Sequence, residues 1–162
     1  YIPVGALWGA NDIQKMHQVG SLTRVKVTMK KHPRSLKVSG DIGKKMESFF
    51  EESEEGKPKG ECVLYDGPVG PLCPLAPNNV NTMACAALAG LGFEKTEASL
   101  VADDRLDAHI IDILVEGKNG FRVETSRINP AQTGAVTGQA TYGSFLTSLL
   151  KSHSLGSGIH FV

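Results

Sequence analysis

Cysteine, aromatic residues and net charge are all scarce in this chain. Of its 162 residues, three are cysteine and 6% are aromatic, while 17 Lys and Arg balance 17 Asp and Glu. Three cysteines cannot all pair within one chain, and none has a C-x-x-C spacing. The sequence therefore predicts free or buried thiols in a reducing, cytoplasmic compartment. The neutral balance excludes a strongly basic surface, so we expect no nucleic-acid partner.

Long apolar runs are also missing. No stretch approaches the roughly 20 apolar residues that cross a bilayer, and no signal-peptide pattern is visible, so we expect no membrane partner. Apolar residues still make up 41% of the chain, which is enough for the core of one domain. Because the sequence begins at Tyr1 without an initiator methionine, we expect a segment of a longer or processed protein.

Several local signatures of enzyme families are absent. The sequence contains no G-x-G-x-x-G dinucleotide fingerprint, no G-x-S-x-G elbow, no Walker A motif and no H-E-x-x-H pair. Ser-His-Asp and Cys-His sets stay open, because their members need not be close in sequence. No zinc-type ligand spacing occurs, so we predict no metal site.

Hydrophobic periodicity predicts a mixture of helices and strands. Residues 24–30 alternate, with Val25, Val27 and Met29 on one face of a strand. We therefore predict one α+β domain over residues 1–162, with a mixed β-sheet that helices cover on one face. The Val25 row would pack under those helices or against the sheet of a second subunit. Further strands are predicted near 62–66, 98–103 and 109–117, a hairpin turn at 119–120, helices near 9–20, 41–52, 79–90 and 135–152, a charged loop at 51–61, and irregular structure among the prolines of 68–77.

The first candidate for chemistry is the stretch "ADDRLDAHIIDILVEG" at 102–117. Alternation places His109 on the same strand face as Ile111 and Ile113. Such a histidine can be a core residue bonded to a backbone carbonyl, a metal ligand or a proton carrier. The carboxylates nearest to it should be those of the preceding loop, since Asp112 points to the opposite face.

The second candidate is "PNNVN" at 77–81, directly before a helix of small residues. The free N–H groups of a helix start can bind an anion, and one asparagine is explained by capping. Three asparagines are more than the capping of one helix requires, so contact with a ligand is an equally good interpretation. The basic run Lys30, Lys31, His32 and Arg34 would suit a carboxylate-rich substrate, although a solvated strand end is the commoner case.

Taken together, ordered segments along nearly the whole chain resemble the C-terminal domain of the L-aspartate dehydrogenase family. They are "GALWGANDI" at 5–13, "LYDGP" at 64–68, "APNNVNTMACAALAGLGF" at 76–93, "VADDRLDAHIIDILVEG" at 101–117 and, more weakly, "NPAQTGAVTGQAT" at 129–141. The resemblance implies oxidation of L-aspartate to iminoaspartate, which hydrolyses to oxaloacetate and ammonia, with NAD or NADP as cofactor.

The same resemblance assigns roles by motif position. It implies that His109 is catalytic and that Ala6 and Asn79 contact the cofactor, with Asn81 as the near alternative. In the family an N-terminal Rossmann domain binds the dinucleotide, and no fingerprint for it occurs in this sequence. We therefore expect this chain to be the substrate and dimerisation domain of a homodimer, and to hold NAD or NADP poorly by itself. The alternative is a non-enzymatic dimerisation or ligand-binding domain.

Overall fold

The fold is built around one mixed β-sheet. The computed structural model describes residues 1–51, 60–138 and 140–162. Within them, five strands form a sheet of order β2-β3-β1-β4-β5, which confirms the predicted α+β class. The strands are β1 (Leu22–Lys31), β2 (Glu61–Pro68), β3 (Glu97–Asp103), β4 (Ala108–Gly117) and β5 (Arg122–Pro130).

Strand β1 is central and makes the sheet mixed. It pairs in parallel with β3 and antiparallel with β4. The outer pairs β2–β3 and β4–β5 are antiparallel. The β4–β5 hairpin turns at Asn119 and Gly120, whose φ angles of 58° and 77° are both left-handed. This is the geometry for which an Asn-Gly pair is favoured, and it confirms the predicted turn.

Helices cover one face of this sheet. Four of them contribute to a single apolar cluster with the inward-facing strand residues. Val25, Val27 and Met29 are buried in that cluster, so helices of the same chain cover them. The opposite face carries ion pairs, including Lys26–Asp66 and Lys30–Glu61. The four helices are α1 (Ala10–Gln18), α2 (Gly40–Glu51), α3 (Val69–Leu75) and α4 (Asn81–Ala89).

Helix α3 corrects the prediction of irregular structure around the prolines. Pro71 lies in its first turn, where a backbone N–H would have no partner within the helix. Pro74 is the residue before the last one of α3, so the helix does not have to continue beyond it. The number and spacing of the prolines therefore did not exclude a helix at these residues. The predicted charged loop at 51–61 lies largely outside the described residues.

The last helix, α5 (Ala140–Ser152), differs from the others because its apolar side chains are exposed. Its buried residue is Ser148, whose Oγ donates a hydrogen bond to the Val162 carbonyl at 2.8 Å. The large apolar side chains of this helix are therefore not covered within the described chain. They are Tyr142, Phe145, Leu146, Leu149 and Leu150. None of the helices in the described residues is both long and apolar enough to cross a membrane.

Candidate functional site

A cleft of about 120 Å³ opens at the ends of three neighbouring strands. Lys31 ends β1, His109 is at the start of β4, and Asn129 is near the end of β5. His109 is the register partner of Asn129. The pair Lys30–Ile110 precedes the cleft, so antiparallel pairing carried one step further sets Lys31 opposite His109. All three side chains line the cleft on the helix-covered face of the sheet.

Three further segments complete the walls of this cleft. The N-terminal turn contributes Gly5 and Ala6, the stretch before α4 contributes Asn79 and Asn81, and 136–138 closes another side. Ala6, Asn79, Asn81 and His109, the residues singled out from the sequence, therefore all line one cavity.

The turn that carries Ala6 is fixed by backbone contacts at both ends of the chain. Leu7 N–H donates to the Val4 carbonyl at 3.0 Å, which closes the turn, and Gly5 takes the required positive φ of 58°. Val4 N–H donates in turn to the Val162 carbonyl at 2.9 Å. Ala6 therefore lies in a tight turn, and the small side chains of this turn leave its backbone open to the cleft.

His109 is buried, with only 4% of its surface exposed. Its Nε2 lies 2.9 Å from the Ala135 carbonyl oxygen. A carbonyl can only accept, so Nε2 carries the proton and Nδ1 keeps a free lone pair. Burial first, and the neighbouring Lys31 charge second, lower the pKa of His109 to about 4. At neutral pH the ring is therefore uncharged, held by a backbone carbonyl and able to accept a proton at Nδ1.

The loop carboxylates that precede His109 in sequence are bonded to other groups of the chain. Asp103 holds Arg105, with 2.8 Å between Oδ1 and Nε. Asp104 accepts a hydrogen bond from the Gly60 N–H at 3.0 Å. The charged group that acts on His109 is Lys31.

The sequence placed Lys31 in a basic run but did not distinguish it from the other basic residues of that run. The basic run divides in the structure: Lys30 points to the opposite face and pairs with Glu61, and His32 Nδ1 accepts a hydrogen bond from Arg34 N–H. Lys31 is 5% exposed, and its Nζ donates to the Val136 carbonyl at 2.9 Å. Burial lowers its pKa to about 8. The signal was present, because the alternation of buried residues through Met29 continues to position 31.

Asn79 offers an unused donor to the cleft. The side chain is 1% exposed, and its Oδ1 accepts the Lys37 N–H at 3.0 Å. Its Nδ2 is buried and has no hydrogen-bond partner among the residues that the structure describes. Such a donor is costly unless a ligand satisfies it, and a carboxamide or ribose oxygen of a nicotinamide nucleotide would do so. Helix α4 begins only at Asn81, without a side-chain cap, so capping does not account for Asn79.

The charge of the cleft is one-sided. Lys31 and His109 are its titratable groups in the part of the chain that the structure describes, and the described lining includes no Asp or Glu. The other polar side-chain atoms of the described lining are the amides of asparagines and the hydroxyls of threonines. The described residues also contain no group of three His, Cys, Asp or Glu side chains arranged to hold a metal ion. The arrangement is suited to an anionic ligand.

The chain matches the family model described as "Aspartate dehydrogenase, C-terminal" over residues 12–148. An aspartate dehydrogenase domain-containing protein of Danio rerio is 46% identical over 163 residues, which cover 99% of this chain and 56% of the relative. An L-aspartate dehydrogenase of Methanococcoides burtonii is 31% identical over 153 residues, covering 93% of this chain and 53% of the relative. The chain thus spans about half the length of the curated relatives it matches.

A solved structure shares the fold. The crystal structure of aspartate dehydrogenase from Thermotoga maritima matches all of this chain with a TM-score of 0.62 and 22% sequence identity, and the match covers 55% of that protein. At this identity the likeness concerns the arrangement of helices and strands.

Proposed function

The chain belongs to the aspartate dehydrogenase family, whose C-terminal domain it matches, and on this premise we propose that residues 1–162 are the substrate and dimerisation domain of an NAD(P)-dependent L-aspartate dehydrogenase. The reaction would oxidise L-aspartate to iminoaspartate, which hydrolyses to oxaloacetate and ammonia. The observation that carries the proposal is the convergence of His109 and Asn79, each with an unused polar atom, in one cleft.

The cleft fits the nicotinamide end of a dinucleotide. Bound NAD or NADP supplies the acceptor for the hydride that leaves the substrate. Asn79 Nδ2 would donate to a carboxamide or ribose oxygen, with Asn81 as the alternative contact. Gly5 and Ala6 present little side chain, so a flat ring can approach the turn closely. The remainder of the dinucleotide would be held by a part of the protein outside residues 1–162.

His109 has the properties of a proton acceptor in this reaction. Oxidation of an amine removes a proton from nitrogen in addition to the hydride from Cα. The lone pair on Nδ1 can take that proton, or one from the water that attacks the imine carbon. The bond from Nε2 to the Ala135 carbonyl fixes the tautomer and the plane of the ring, so the basic nitrogen keeps one direction.

The proposal is tested by turnover in the longest protein product that contains this chain. Formation of reduced nicotinamide from L-aspartate is followed for wild type, His109→Ala and the control His17→Ala, whose side chain lies on the exposed part of α1. We expect His109→Ala to lower kcat by about 10²-fold or more, the usual contribution of a positioned acid or base, and His17→Ala to leave it unchanged. Unchanged turnover in His109→Ala would remove this residue from the mechanism, and a wild type that does not oxidise L-aspartate would overturn the activity.

We also propose that the protein is a homodimer. The support is the row of exposed apolar side chains on α5, because soluble monomers seldom leave such a surface uncovered. Sedimentation at micromolar concentration should give twice the monomer mass, and a monomer would refute the proposal.

A cytoplasmic location is proposed from the thiols. Cys62, Cys73 and Cys85 are all unpaired, and burial raises the pKa of Cys85 to about 11. Unpaired thiols are typical of reducing compartments. Fractionation of cells that express the tagged protein would test this location.

A further inference from the structure

Lys31 is a buried cation with no counter-ion in the described part of the chain. Its ammonium group has three donors, and the Val136 carbonyl takes one of them. Among the residues that the structure describes, none places a carboxylate within ion-pair distance of it. Its neighbours in the basic run are different, because Lys30 has Glu61 as a partner. Leaving a charge desolvated and unpaired costs free energy, so this position needs an explanation.

The surroundings show what would complete this site. Lys31 lies opposite His109 in the sheet, and both face the same cleft. The described part of the lining carries amide and hydroxyl groups and no acid. A buried ammonium group with two donors left over, in a cleft whose described lining has no acid, points to an anionic ligand that brings its own acceptor oxygens.

We propose that the Lys31 ammonium binds a carboxylate group of the substrate and holds it beside His109. This inference deepens the proposed function and rests on it for the identity of the substrate. The ion pair would use the two remaining donors of Lys31, and it would restrict the substrate to one orientation relative to Nδ1 of His109.

The ion pair also has a consequence for proton transfer. In the free cleft the Lys31 charge opposes protonation of His109. A bound carboxylate compensates that charge, so the imidazole becomes a stronger base when the substrate is present. Lys31 is therefore a positioning residue in this scheme, and His109 remains the group that exchanges the proton.

The test measures binding without turnover, so it is separate from the test of the dehydrogenase activity. The chain is titrated with succinate, which has two carboxylates and no amine to oxidise, while the His109 ring signals are followed by NMR. The variants are Lys31→Met and Lys30→Met. The second removes a neighbouring positive charge from the opposite face of the sheet and serves as the matched control.

We expect saturable succinate binding in wild type, accompanied by a rise of the His109 pKa. Lys31→Met should weaken succinate binding about tenfold or more, the usual effect of losing a charged hydrogen bond, and Lys30→Met should change it less than about twofold. Without ligand, Lys31→Met should itself raise the His109 pKa, because the opposing charge is gone. Because unfolding would also raise this pKa, toward 6.5, the chemical-shift dispersion of the amide NMR spectrum is used to show that the variant is folded.

Specific outcomes would overturn the proposal. These are no saturable change in wild type, equal binding by wild type and Lys31→Met, and an equal response to the neutral analogue succinamide or to sodium chloride at matched ionic strength. Saturable binding of inorganic phosphate without a response to succinate would also overturn it. If succinate binding depends on Lys31 but the complete protein does not oxidise L-aspartate, the carboxylate site stands and the proposed reaction fails.

Discussion

His109 should make the stability of this protein depend on pH in a specific window. Its pKa is about 4 in the folded chain and about 6.5 in an unfolded one. Between these values the unfolded state binds more protons, so the free energy of unfolding rises as the pH increases from 4 to 6.5 and is level above that. Acidification from pH 7 to pH 4 therefore removes stability.

The magnitude follows from the two pKa values. A tenfold change in proton affinity corresponds to about 1.4 kcal/mol, so the full difference is worth about 3 kcal/mol. Water in the open cleft screens part of this, and we expect about 2 kcal/mol. This is a large fraction of the stability of a domain of this size.

The assay compares wild type with His109→Gln by urea unfolding at several values between pH 4 and pH 8. Circular dichroism is the better probe, because Trp8 is 71% exposed and its fluorescence would change little. Glutamine can still donate to the Ala135 carbonyl but does not titrate. Burial also lowers the pKa of His32, and that contribution cancels in the comparison. A difference in stability between the two proteins that stays constant with pH would refute the reasoning.

Two further predictions concern local structure, each with a matched control. Asn79→Ala should cost about 1–3 kcal/mol of unfolding free energy because the Lys37 N–H loses its acceptor, whereas Asn81→Ala should stay within about 0.5 kcal/mol; equal losses in urea unfolding would contradict this. Gly120→Ala should lower the free energy of unfolding by about 1 kcal/mol, since φ is 77° there, and Gly143→Ala in α5 should raise it by about 0.5–1 kcal/mol. Thermal unfolding measures both changes, and an unchanged stability of Gly120→Ala would contradict the assignment of a left-handed turn at this residue.

Periodicity was sufficient for the parts of the fold that are governed by burial. The alternation of Val25, Val27 and Met29 predicted a strand with one buried face, and the structure has β1 in that place with that face inward. Asn119 and Gly120 predicted a hairpin because few other pairs adopt two left-handed residues in succession. Helix α3 was not predicted. The free-energy cost of a proline depends on its position within a helix, and the sequence does not show where such a helix begins.

The candidate site could be predicted from the sequence only in part. Periodicity put His109 on a buried strand face, but it could not separate a core histidine from a proton carrier. The family resemblance was needed to add Ala6 and to choose Asn79 among the asparagines at 77–81. Lys31 was named only as one member of the basic run at 30–34, because the alternation of β1 was followed only through its apolar residues. Its burial depends on pairing with β4 and on the Val136 carbonyl, which are contacts between distant parts of the chain.

The stretch between β5 and α5 has an unusual kind of importance. His109 and Lys31 are held by the carbonyls of two successive residues, Ala135 and Val136. Every amino acid has a carbonyl, so the side chains at these two positions are free to vary without loss of either bond. An insertion or deletion of one residue between Pro130 and Ala140 would instead displace both acceptors together. Among relatives we therefore expect the length of this segment to be constant, whereas its amino-acid sequence can vary.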